Sequence, residues 1–138
     1  MSIVDRIFPY SATTQGITVR VQPEYLESES LPERGLWVWR YHVRIENHGN
    51  EQVQLFDRHW IIRDATGGIE EVSGPGVIGQ QPVIMPGGAH DYESGCPLPT
   101  PSGTMEGSYG MVGPGGRLFR VAIPQFDLVS PDSRRAAN

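Results

Sequence analysis

Eleven residues, Leu36 to Glu46, carry a period-two pattern. Trp37, Trp39, Tyr41, Val43 and Ile45 fall on one face, and Val38, Arg40, His42, Arg44 and Glu46 on the other. Only an extended strand separates odd from even positions in this way. A strand of this length, with an aromatic-rich face, must bury that face against a second layer. The rest of the chain is too heavily punctuated to supply that layer as long helices. It has 17 glycines and 12 prolines in 138 residues, well above the usual share of about 12%. No segment longer than one turn reads as an amphipathic helix. A coiled coil is excluded, and collagen fails because glycine has no three-residue period.

Further alternations fill in the layers. Ile17, Val19 and Val21 alternate with Thr18, Arg20 and Gln22. Asn47-His48-Gly49-Asn50 reads as a hairpin turn after the long strand, because Asn and Gly tolerate positive φ. Val53 and Leu55 point inward in the next run, but Trp60 and Ile62 resume on the opposite parity. One inserted residue, a β-bulge near Asp57-Arg58, explains the change. Short strands are expected at Ile69–Ser73, His90–Ser94, Thr104–Val112 and Leu118–Ile123. Pro97, Pro99 and Pro101 keep the segment from Cys96 to Ser102 out of any central strand. The acidic connection from Gln22 to Gly35 is expected as an exposed loop. Seven or eight short strands with turn signals every 8–12 residues imply an antiparallel all-β sandwich or barrel. It should form a single domain over residues 1–128. The polar residues 129–138 are expected as a flexible C-terminal tail.

Composition removes several functions. All 11 basic residues are arginine, so neither a P-loop NTPase nor a Schiff-base or pyridoxal enzyme can be built. The net charge of -5 argues against non-specific nucleic-acid binding, which needs a basic face. The single cysteine, Cys96, cannot form an internal disulfide. The N-terminus lacks the apolar core of a signal peptide, and no run approaches the ~18 apolar residues of a membrane span. No membrane insertion and a cytoplasmic location are the expectations.

Few residue groupings suggest chemistry. Gly74-Pro75-Gly76-Val77-Ile78-Gly79 fits G-x-G-x-x-G, but Pro82 and Pro86 follow where a dinucleotide fold needs a helix. Two readings remain: loop amides forming an anion nest, or glycines that permit turns. Arg58 and His59, at the inferred bulge, could bind a phosphate or carboxylate, or serve as local polar fastening. His42, His48, His59, His90, Asp57, Asp91 and Cys96 lack the close spacing of a zinc site, so no metal site or other cofactor is expected. Glu70 and Glu71 point to opposite faces and cannot converge on one bond. No G-x-S-x-G elbow is present, and nothing marks Cys96 as activated. Trp37, Trp39 and Tyr41 could form a stacking platform, but they share parity with Val43 and Ile45, which points to core packing.

Several stretches together carry a family resemblance. They are Gln54 to Ile62, Gly74 to Pro82, Pro86-Gly87, Tyr92 to Gly95, Thr100 to Tyr109 and Ile123 to Phe126. In that order they resemble the ApaG family of small bacterial proteins, over most of residues 3–128. The resemblance implies an immunoglobulin- or fibronectin-type-III-like β-sandwich. It implies a chain of no established biochemical activity, associated with cobalt tolerance and magnesium efflux. It also implies an interaction module, as in eukaryotic proteins that carry the domain. The family's glycine motif has been proposed as a nucleotide or pyrophosphate site, which singles out Gly74, Gly76 and Gly79. The family pattern favours a small polar residue where this chain has Asp57, whose carboxylate beside Arg58 would compete with an anion.

Three functions are therefore carried forward. The first is a non-enzymatic module that binds a protein partner. The second is a small-anion or nucleotide binder using Gly74, Gly76, Gly79 and Arg58. The outsider is a metal-dependent phosphohydrolase.

Overall fold

The alternating segment forms the centre of one of two antiparallel sheets in the computed structural model, which describes residues 2–136. After a short helix α1 (Ile3–Ile7) come strands β1 (Tyr10–Thr14), β2 (Ile17–Tyr25), β3 (Trp37–Asn47) and β4 (Val53–Asp64). They are followed by β5 (Ile69–Pro75), β6 (Val83–Ile84), β7 (Ala89–Leu98), β8 (Ser102–Val112), β9 (Leu118–Val129) and helix α2 (Pro131–Ala136). The first sheet has the order β1-β2-β3-β7. The second has the order β5-β4-β8-β9, with β6 also paired to β4. The all-β sandwich expected from the sequence is the observed architecture.

The core lies where the two inner faces meet. Trp39, Val43 and Ile45 from β3 are buried with Val19 and Val21 from β2. From the other sheet come Leu55, Trp60, Tyr109, Val121 and Phe126. Aromatic rings tie the layers together: Phe126 stands 5.8 Å from Tyr41 and 6.0 Å from Trp60, centroid to centroid. The aromatic stripe of β3 is thus core packing, with Trp37 at its margin.

Several expectations need correction. Asn47–Asn50 reverses the chain, but β3 and β4 do not form a hairpin. β3 is paired on both edges by β2 and β7, so the chain must cross to the other sheet. Buried Asn47 holds this corner. Its Nδ2 donates to the Glu51 and Ile84 carbonyls (2.8 and 3.0 Å), and its Oδ1 accepts from the Gly49 amide (2.9 Å). The Gln22–Gly35 segment is not all loop, because β2 continues to Tyr25 alongside β3. Pro23 is tolerated there because β1 pairs only as far as Val21, leaving an open edge beyond. Likewise β9 runs on past Ile123. Pro124 and Gln125 sit opposite the single residue Glu106, at a break in the β8–β9 register.

The bulge falls at Phe56, one residue before the expected pair. Leu55 faces Met111 and Asp57 faces Gly110, so Phe56 has no partner on β8. Past Val129, the Trp37 indole donates to Asp132 (2.9 Å) and Ser130 is buried. Residues 137 and 138 of the expected tail lie outside the described residues. No helix among the described residues is long and apolar enough to cross a membrane.

Candidate functional site

The two sheets close differently along their flanks. On one flank β1 and β2 lie against β9. On the other, the edge strands β5 and β7 stand apart, and a cleft of about 710 Å³ opens between them. Its floor contains Trp60, Tyr41 and Met105, and its rim includes Ile69, Ile78 and Pro97. Ile69 and Ile78 are 64% and 62% exposed, unusual for large aliphatic side chains.

The parity change at Phe56 aims Arg58 into this cleft. Arg58, Trp60 and Ile62 share the inward face of β4 and line the cleft together, while Asp57 and His59 turn outward. Asp57 pairs with Arg120 (2.9 Å) and accepts from the Gly110 amide (3.1 Å). It does not pair with Arg58, so the competition expected from its carboxylate is removed by the alternation of the strand. Arg58 Nη1 instead donates to the carbonyls of Pro75 (2.9 Å) and Gly76 (3.0 Å). Its guanidinium lies over Gly74, where an added Cβ would stand 3.1 Å from both terminal nitrogens. Among the described residues Arg58 has no ion pair with a carboxylate.

Pro75, Val77, Ile78 and Gly79 of the glycine motif line one end of the cleft, whereas Gly74 and Gly76 do not line it. Between β5 and β6 the chain passes the bulge, and the freed Phe56 carbonyl accepts from the Gly76 amide and Gln81 Nε2 (both 2.9 Å). Val77 and Gln80 then exchange main-chain hydrogen bonds (2.8 and 3.0 Å) around a two-residue turn. Ile78 (φ 48) and Gly79 (φ 72) both lie in the left-handed region, as a type I′ turn requires. For a β-branched residue that conformation costs roughly 1–2 kcal/mol, yet Ile78 is held there at the rim. Gly76 (φ 61) could carry no side chain, because a Cβ would meet the Gln80 carbonyl at 2.2 Å. Thus Arg58, Gly74, Gly76 and Gly79 are brought together, with the Gly76 amide committed to Phe56.

Four further residues complete the cleft: Tyr41 and Cys96, read from the sequence as core packing and as an unactivated thiol, and Tyr92 and Ser94, which the strand pattern does not single out. Tyr92 and Tyr109 share a short hydroxyl–hydroxyl hydrogen bond. Burial pushes the pKa values of Tyr41, Tyr92 and Tyr109 up, while the nearby Arg58 charge pulls each down. Burial also pushes the Cys96 thiol up to about 12, leaving it unactivated at neutral pH. The available signal was Tyr92 to Gly95 in the resemblance. A strand reading alone could not place it opposite Arg58.

The histidines lie elsewhere. His42 pairs with Asp91 (2.8 Å), His48 with Glu46 (2.8 Å) and His59 with Glu71 (3.7 Å), while His90 stacks near Tyr92. Among the described residues no group of three or more His, Cys, Asp or Glu side chains could hold a metal ion.

A single-domain β-sandwich with a lateral cleft between its edge strands is thus the class of protein defined by fold and site. The chain belongs to the ApaG family: the model of the ApaG domain (DUF525) matches residues 27–113. It is 57% identical over 129 residues to Protein ApaG of Rhodospirillum centenum, covering 94% of this chain and 99% of that protein. Protein ApaG of Brucella anthropi is 53% identical with the same coverage. The crystal structure of an ApaA protein from Bordetella pertussis superimposes with a TM-score of 0.81 at 48% identity. It covers 83% of this chain and 94% of that one.

Proposed function

We propose that the chain is a non-enzymatic binding module whose recognition surface is the cleft between β5 and β7. The observation that carries this reading is the composition of the cleft: partly apolar walls, exposed Ile69 and Ile78 at the rim, and one arginine that has no carboxylate partner among the described residues. Ligand sites are characteristically apolar concavities with a few placed polar groups. Among the described residues the lining contains no histidine, and its cysteine and tyrosines are held protonated by burial, which weighs against a thiol or phenol nucleophile with a histidine base. Links to cobalt tolerance and magnesium efflux would then run through the bound partner.

The test is affinity capture from the native cell lysate with paired baits, wild type and Val72→Arg. A reproducible partner, protein or small molecule, should be lost from the blocked bait. Recovery of nothing reproducible, or of the same partners by both baits, counts against the reading.

The pyrophosphate or nucleotide reading through Gly74, Gly76, Gly79 and Arg58 is favoured by one specific feature, the Arg58 charge beside a loop of positive φ. Calorimetry with pyrophosphate tests it. Heat that Arg58→Ala diminishes supports it, and no heat at millimolar ligand sinks it.

A further inference from the structure

Among the described residues five arginines are neutralised, whereas Arg6, Arg34 and Arg117 lack a carboxylate partner but are solvent-exposed. Arg20, Arg40, Arg44, Arg63 and Arg120 each pair with a carboxylate. Arg58 is partly buried in a cleft and has none. A charge withdrawn from water is costly unless a counter-charge meets it, so this arrangement favours an anion from outside. Both hydrogens of Nη1 are taken by the Pro75 and Gly76 carbonyls. What remains is the side-on edge, Nε–H and Nη2–H, whose parallel donors match a carboxylate in a bidentate pair. The carbonyl anchors fix the guanidinium before any ligand arrives, which lowers the ordering cost of binding.

The rest of the cleft restricts the ligand's body. Among the described residues Arg58 is the only cation lining it. Val72 and Ile62, both half-buried, offer apolar surface above the buried Trp60 and Met105, and Ile69 and Ile78 extend it to the rim. At the opposite end Glu70, on the inward parity of β5 with Val72 and Gly74, lines the cleft with no basic partner among the described residues. Four residues of strand separate it from Gly74, about 13 Å. A second anionic group reaching that end would meet a like charge.

Resting on the binding-module reading, we propose that the cleft takes a ligand bearing a single carboxylate on an apolar body, the carboxylate meeting Arg58 and the body lying along Ile62 and Val72. Such chemistry is offered by a free medium-chain or aromatic acid, or by the C-terminus of a peptide ending in an apolar residue.

The test is a titration of the ¹⁵N-labelled full chain followed by NMR. The probes are octanoate, octanamide, pyrophosphate, and the peptide acetyl-Gly-Ala-Leu-Phe as free acid and as C-terminal amide. The acids should shift amides of Tyr92–Cys96 and Val72–Gly79 and bind at least tenfold more tightly than the matching amides. Pyrophosphate should bind more weakly than octanoate. Arg58→Gln should abolish the acid–amide difference, and Arg58→Lys, with charge but no fork, should retain part of it. The tighter of the two acids identifies the source. Equal binding of acid and amide in the wild type, or pyrophosphate binding as tightly as octanoate, overturns the carboxylate assignment. That outcome leaves the binding-module reading standing if the Val72→Arg bait still loses its partner. Loss of both results removes both.

Discussion

The closed and open flanks of the sandwich are built from the same kind of strand but end differently. On the closed flank, β1 and β2 meet β9, and side chains stitch the layers: the Ala122 amide donates to Thr14 Oγ1 (3.1 Å) and the Asp127 amide to the Tyr10 hydroxyl (3.4 Å). Val19, Val21, Val121 and Leu128 are fully buried there. On the open flank, β5 is mostly exposed, β7 has no second partner, and a bulge and a glycine loop take the place of a third strand. The difference gathers the tightly packed contacts in one flank and the strained and unpaired polar groups in the other. Groups that would weaken a core are tolerated where the chain meets solvent.

The largest expected effect comes from removing what both flanks share. Phe126 contacts Tyr10 on the closed side and Tyr41 and Trp60 under the cleft. Phe126→Ala should cost about 3–5 kcal/mol in urea denaturation. A loss below 1 kcal/mol would show that the two flanks do not depend on a common core. The next effect is confined to the open flank. Gly76→Ala combines positive φ with a Cβ 2.2 Å from the Gln80 carbonyl and should cost about 2–3 kcal/mol. Gly79 has the same backbone demand but open space around it, so Gly79→Ala should cost only about 1 kcal/mol. Equal losses would mean that close packing of the loop contributes nothing.

Arg58→Gln comes third. It removes two charge-assisted bonds to carbonyls at a partly exposed site, about 1–2 kcal/mol. Hydrogen exchange should accelerate in the Gly74–Gln81 loop while β1 and β9 stay protected. Uniform acceleration would contradict the separation of the flanks.

The closed flank was also the more legible one in the sequence. Ile17-Val19-Val21 and Phe119-Val121-Ile123 alternate in register with their burial, because strands facing one core need only the two-residue period. The open flank depends on features that period does not encode. The bulge was visible as a parity change between Leu55 and Trp60, but its position at Phe56 required the facing strand. The glycine motif was visible, yet its role depends on a carbonyl freed by that bulge in another strand. Tyr92 and Ser94 read as ordinary strand residues: Pro97 keeps the end of β7 out of a central position, but nothing local says which strand its inward face stands opposite. The corner at Asn47 was mistaken for a hairpin for the same reason: turn chemistry fixes the reversal and says nothing about which sheet receives the next strand.

A smaller effect tests whether the flanks communicate through the first sheet's outer face. Glu46, nearly buried, accepts from Arg20 (3.1 Å), Arg44 (2.9 Å) and pairs with His48 (2.8 Å). Arg44 extends the chain of charges to Asp91 on the edge strand β7 (2.8 Å). Burial alone would raise the Glu46 pKa, but hydrogen bonds from His48, Arg44 and Arg20 outweigh it and hold the carboxyl below its usual value. A depressed acid stabilises the fold above its unfolded pKa, and that contribution disappears as pH falls through the folded value. Stability should therefore drop in the acid range below the ordinary glutamate pKa. Glu46→Gln should flatten that limb. An unchanged acid limb in the variant would assign it to other carboxylates, such as Asp5 and Asp64, which are also held low.

The smallest expected effect has the opposite sign. Ile78 is a β-branched residue at φ 48, exposed at the cleft rim. Asparagine tolerates that conformation better, so Ile78→Asn should stabilise the fold by up to about 1 kcal/mol in urea denaturation. The same substitution removes apolar surface from the rim, so octanoate should bind it more weakly. Stability rising while affinity falls would mark Ile78 as a residue whose strain is maintained for recognition. If both rise, or if stability falls, the turn is simply well packed, and the contrast between the flanks loses its sharpest residue.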